Sequence, residues 1–79
     1  MKVSMTEWNQ ACNAVIKKAK ESPTSSLIQY AASYALRGLM MYGEERRVQA
    51  LYILNNMSGW RGEEAKAARE IFKRASKEE

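Results

Sequence analysis

Leu27-Ile-Gln-Tyr-Ala-Ala-Ser-Tyr-Ala-Leu-Arg-Gly-Leu-Met-Met-Tyr42 decides how the rest of this sequence is read. Its polar residues Gln29, Ser33 and Arg37 fall at i, i+4 and i+8, one narrow strip of a helix, and everything between them is apolar or small. A strand would alternate with period two, and this stretch does not. The run is also too short and too interrupted for the ~20 apolar residues of a membrane span, so it predicts a largely buried helix over 24–42. On the side away from the polar strip, Ala31, Ala35 and Gly38 present little bulk. Glycine costs roughly 1 kcal/mol against alanine inside a helix, and a close helix crossing at Gly38 is the compensation to expect.

The punctuation on either side cuts the chain into four such segments. Ser22-Pro23-Thr24, Gly43 and Ser58-Gly59-Trp60-Arg61-Gly62 are the breaks. Upstream, Ser4-Met5-Thr6-Glu7 has the S-x-x-E form of a capping box and starts a first helix over 5–21. Met5, Trp8, Ala11, Cys12, Val15, Ile16 and Ala19 recur at steps of three and four and make one apolar stripe on it. Downstream, Gly43 is placed to end the second helix. Glu44 and Glu45 then open a third helix over 44–57, where the helix dipole favours carboxylates. Val48, Ala50, Leu51, Tyr52, Ile53, Leu54 and Met57 cover most of that helix. Glu45, Gln49 and Asn56 share its polar strip, which predicts a deeply embedded element. The fourth helix, over 62–76, carries Ala65, Ala68, Ile71, Phe72 and Ala75 on one face and charges on the other, including the i,i+4 pairs Glu70 with Arg74 and Arg74 with Glu78. The expected fold is therefore all-α, a four-helix bundle in one domain spanning residues 1–79.

Seventy-nine residues, 46% apolar and 28% charged, are enough for one small domain. A chain of this length buries only roughly 60% of the surface its unfolded form exposes, so burial supplied by a partner matters. There is no histidine and no aspartate, and Cys12 is the lone cysteine, so neither the usual zinc sets nor the Ser-His-Asp and Cys-His nucleophile arrangements can be assembled from one chain. The reading is of a non-enzymatic protein without metal or cofactor. The start Met1-Lys2-Val3-Ser4 has no apolar stretch behind it, and one thiol cannot form an internal disulfide. Both features give the expectation of a cytoplasmic protein that does not enter membranes.

Two surfaces compete for function. In a bundle each helix ordinarily buries about three residues in seven. The second and third helices exceed that, so their surplus is either core between the outer helices or an interface with another chain. Tyr30, Tyr34, Met40, Met41 and Met57 are the candidates on these helices. Trp60 and Arg61 join them from the glycine-flanked loop, tryptophan and arginine being common interface anchors. A tryptophan just before a helix can instead fold back onto the first turn. The expected partner is a second copy of the chain or another protein.

The alternative rests on the +4 formal charge, thirteen Lys and Arg against nine Glu. Lys17, Lys18, Lys20, Arg61, Arg69, Lys73 and Arg74 would then be phosphate contacts of a nucleic-acid-associated accessory protein. The signs are mixed along the chain, and the lysines closing the first helix already suit its dipole. A helix-turn-helix around Gly43 is resisted by Glu44 and Glu45 at the end that would approach phosphates.

Finally, Gln49-Ala-Leu-Tyr-Ile-Leu-Asn-Asn-Met-Ser-Gly-Trp-Arg-Gly-Glu-Glu64 resembles segments of small uncharacterised open reading frames of bacterial and phage or prophage origin. The resemblance covers about a fifth of the chain and implies a mobile-element protein that acts by binding a host or phage protein. It brings no activity and no functional residues with it.

Overall fold

The computed structural model describes residues 2–77. Four helices follow one another, α1 (Met5–Glu21), α2 (Ser26–Gly38), α3 (Glu44–Asn55) and α4 (Glu63–Ser76), with no strand among the described residues. Each packs on its neighbours in a closed ring, α1 on α2, α2 on α3, α3 on α4 and α4 on α1. Trp8 meets Gly38, and Gln29 meets Ala19, so α1 and α2 are antiparallel. Glu7 meets Arg74 at one end of the α1–α4 contact, while Lys17 and Glu64 line its other end, so these two are antiparallel as well. The result is an up-and-down four-helix bundle. None of its helices is long and apolar enough to cross a membrane.

α1 starts where its capping box places it. The Ser4 hydroxyl accepts from the Glu7 amide and the Glu7 carboxylate accepts from the Ser4 amide, each at 3.1 Å. Trp8, Ala11, Cys12, Val15 and Ala19 of its stripe are buried, whereas Met5, in the first turn, is exposed. The core continues through Ile28, Ala31 and Ala35 of α2, Ala50 and Ile53 of α3, and Ala65, Ala68, Phe72 and Ala75 of α4. Trp8 anchors it, with the Phe72 ring edge-on at 5.5 Å. Gly38 lies at the expected crossing. A Cβ there would stand 3.1 Å from Trp8 Cζ2 and 3.4 Å from Gln49 Cγ.

α2 corrects the expectation of a largely buried helix over 24–42: it runs from Ser26 to Gly38, four residues short of Tyr42, and buries only Ile28, Ala31, Ala35 and Gly38, leaving Leu27, Tyr30 and Leu36 exposed. The physical reason lies in distant side chains. Trp8 Nε1 donates to the Gly38 carbonyl at 2.7 Å and Arg46 Nε donates to the Met41 carbonyl at 3.1 Å, so partners outside the helix satisfy backbone groups that further turns would have used. Gly43 consequently does not terminate α2. It is the left-handed residue (φ +69°) from which α3 departs.

α3 is the second correction. It ends at Asn55 and not at residue 57, it is not deeply embedded, and two of its polar residues are not where an amphipathic reading puts them. Gln49, expected on the polar strip, is buried, and its amide donates to the Tyr34 carbonyl at 2.6 Å. Arg46 is buried too, its guanidinium 5.2 Å from the centre of the Trp8 ring. Val48, Leu51 and Tyr52 face outward instead. In α4, Arg74 reaches across to Glu7 at 2.5 Å, while Glu78 of the expected pair lies outside the described residues.

Candidate protein interface

α3 carries two seams with the spacing of a helix–helix contact, on opposite sides. Arg46, Ala50 and Ile53 follow steps of four and three and point into the bundle, and Met57, four residues on and just past the helix end, is buried with them. Glu44, Val48, Leu51 and Asn55 follow the same steps and point out of it. Steps of this kind keep one stripe facing a neighbour, and for the outer seam no helix of the chain is that neighbour. Val48 and Leu51 are left 52% and 49% exposed at its centre.

α2 extends this surface. Leu27, Tyr30 and Tyr34 lie at i, i+3 and i+7 on its α3 side, and Tyr34 stacks on Tyr52 with ring centres 5.3 Å apart and planes at 23°. The stacked rings join the two helices into one apolar face, with Tyr30 and Leu27 exposed beyond them. Over Leu27, Tyr30, Tyr34, Val48, Leu51, Tyr52 and Asn55 there is no charge. Arg37, Glu44, Glu45 and Arg47 border it toward the α2–α3 turn. Tyrosines in such a face offer area and a hydroxyl at low conformational cost.

The residues expected at an interface divide between this face and elsewhere. Tyr30 and Tyr34 belong to it. Met40 is exposed in the α2–α3 turn and Met41 is half-buried there, its carbonyl held by Arg46. Met57 (1% exposed) and Trp60 (7%) are core and cannot anchor a partner; Trp60 is folded back among the helices. Arg61 is exposed on the loop before α4. Leu27, Val48, Leu51 and Tyr52 also belong to this face, although the sequence pattern counts the last three among the apolar cover of an embedded helix. The signal that finds them is the doubled seam of α3, which a single-face reading merges into one buried helix.

The seven candidate phosphate contacts do not form one surface. Lys17 edges an open groove of about 490 Å³ between α1 and α4, floored by Ala11, Ala14, Ala68 and Ile71. Lys18 sits beside Ser22, Ser25 and Asn56, and Lys20 beside Gln29 and Leu36 on the α2 side, so the three lysines fan around α1. Arg69 donates to the Trp60 carbonyl, and Arg74 is bound to Glu7. Lys73 and Arg61 remain exposed on different elements. Cys12 is buried, and burial pushes its thiol up to about 12 against the lowering influence of the nearby Arg46 charge. Among the described residues no group of three His, Cys, Asp or Glu side chains is arranged to hold a metal ion. Compared with protein-family models, curated protein sequences and solved structures, the chain matches none.

Proposed function

We propose that this chain is a small non-enzymatic protein-interaction module that self-associates through the outer face of α2 and α3. The observation that carries the reading is the outward seam of α3, an apolar helix-packing surface joined to Tyr30 and Tyr34 by the stacked Tyr34–Tyr52 pair. Exposed apolar patches of a few hundred Å² on small proteins are commonly functional. A chain this short gains proportionally more than a large one from covering such a patch. The dispersal of the seven basic candidates, two of them held in internal hydrogen bonds, supports a protein partner over a nucleic acid. The cytoplasm is the compartment proposed, on the single buried thiol. A mobile-element origin, which residues 49–64 resemble, accords with a protein that acts by binding.

Light scattering across a size-exclusion peak, at low and at high salt with absorbance at 260 and 280 nm, tests this. Apolar association predicts twice the chain mass at both salt concentrations and no excess at 260 nm. A monomer that releases 260-nm-absorbing material as salt rises would overturn it in favour of nucleic-acid binding.

A further inference from the structure

We infer that the partner on this face is a second copy docked through an antiparallel, two-fold pairing of α3 with α3, in register so that Glu44 of one copy meets Asn55 of the other. This rests on the self-association proposed above and specifies its geometry. Two helices that share a seam can run parallel or antiparallel, and the end residues of this seam choose between them. Run parallel, the seam sets Glu44 against Glu44 of the other copy, two like charges at the edge of an apolar contact. Run antiparallel about the midpoint of Glu44–Asn55, it sets Glu44 against Asn55 at both ends and Val48 against Leu51 between them. An asparagine amide donates to a carboxylate, so each end of the contact gains a charge-assisted hydrogen bond. A two-fold interface makes every such contact twice.

The chemistry of the rest of the face fits a second copy. Leu27, Tyr30, Val48, Leu51 and Tyr52, each roughly half exposed, offer on the order of 400–500 Å² of apolar surface, a large part of the ~800 Å² per partner of a standard interface. The tyrosines of α2 flank the seam on one side. The two-fold carries them to both sides of the paired helices and lengthens the contact.

The test is disulfide capture between two single-cysteine additions, Glu44→Cys and Asn55→Cys, mixed in equal amounts and oxidised, with linked peptides identified by mass. Native Cys12 is buried and stays out of the reaction. In the inferred arrangement the two new thiols of different copies are adjacent, whereas like positions are ~17 Å apart along the helix axis, eleven residues at 1.5 Å each. The expected result is the mixed 44–55 product in large excess over 44–44 and 55–55. Predominant 44–44 linkage would overturn the inference in favour of parallel pairing. A wild-type dimer by light scattering with no capture in the mixture would overturn it too, and would place self-association on another surface. A wild-type monomer would remove self-association itself. Asn55→Glu supplies a second readout without oxidation: it sets two carboxylates together at each end and should weaken the dimer roughly tenfold, and Glu44→Lys in the same chain should restore it. Equal dimerisation of Asn55→Glu and wild type would contradict the pairing.

Discussion

Trp8 Nε1 donates a 2.7 Å hydrogen bond to the carbonyl of Gly38, thirty residues away, and the Trp8 ring lies where a Cβ on Gly38 would stand 3.1 Å from it. The glycine thus gives the ring both its acceptor and its space. The ring cannot yield easily, since Phe72 meets it edge-on and the Arg46 guanidinium covers it. Gly38→Ala should therefore lower stability, with overpacking of ~1–3 kcal/mol exceeding the ~1 kcal/mol alanine gains in a helix. Urea unfolding checks this. A midpoint equal to or above wild type would contradict it.

Arg46 should behave as a core residue despite its charge. Its guanidinium rests against Trp8 and its Nε holds the Met41 carbonyl, so it ties the α2–α3 turn to α1. Arg46→Met keeps much of the volume and loses both interactions. It should cost about 2 kcal/mol, read from urea unfolding. Lys66→Met, at an exposed position of α4, serves as the comparison, and equal effects would contradict a specific role for Arg46.

The Glu7–Arg74 pair ties the first turn of α1 to the last of α4 and should make stability acid-sensitive. The Glu7 carboxyl lies below its ordinary value of 4.5, first because it accepts the Ser4 amide and then because of Arg74. A depressed acid stabilises fully above its unfolded value and loses that contribution as pH falls through the lower folded one. The melting temperature should fall below about pH 4.5, and Glu7→Gln should fall less over the same range. Parallel curves for the two proteins would contradict the assignment.

Cys12 should be chemically silent in the folded protein. Its side chain is fully enclosed and its thiol is pushed up to about 12, so little thiolate exists at pH 8 and none is reachable. A disulfide-exchange reagent should label it only in denaturant. Rapid stoichiometric labelling of the native chain would contradict this.

What was legible in the sequence was whatever local chemistry decides. The Ser4–Glu7 capping box fixed the start of α1, and the glycine among alanines in α2 marked the crossing. The fold class followed from four helical periods between clear breaks. What was not legible depended on side chains arriving from other helices. Trp8 takes the carbonyl of Gly38, the last residue of α2, and Arg46 that of Met41 beyond it, and nothing within 24–42 signals either. Arg46 and Gln49 look like surface residues until Trp8 and the Tyr34 carbonyl are placed beside them. Once they occupy the inner face of α3, Val48, Leu51 and Tyr52 must turn outward. Met57 and Trp60, which follow α3, are part of the core and not of the exposed face.

The most direct test of the account is the association state of Leu51→Glu beside wild type, followed by sedimentation velocity over a concentration series with helicity measured on the same samples. Leu51 is half exposed at the centre of the outer seam, so the charge leaves the core intact but cannot be buried between two copies. The account predicts a concentration-dependent dimer for wild type and a helical monomer for the variant at every concentration. A variant that dimerises as wild type does would contradict the claim that the α2–α3 face is the working surface of this protein.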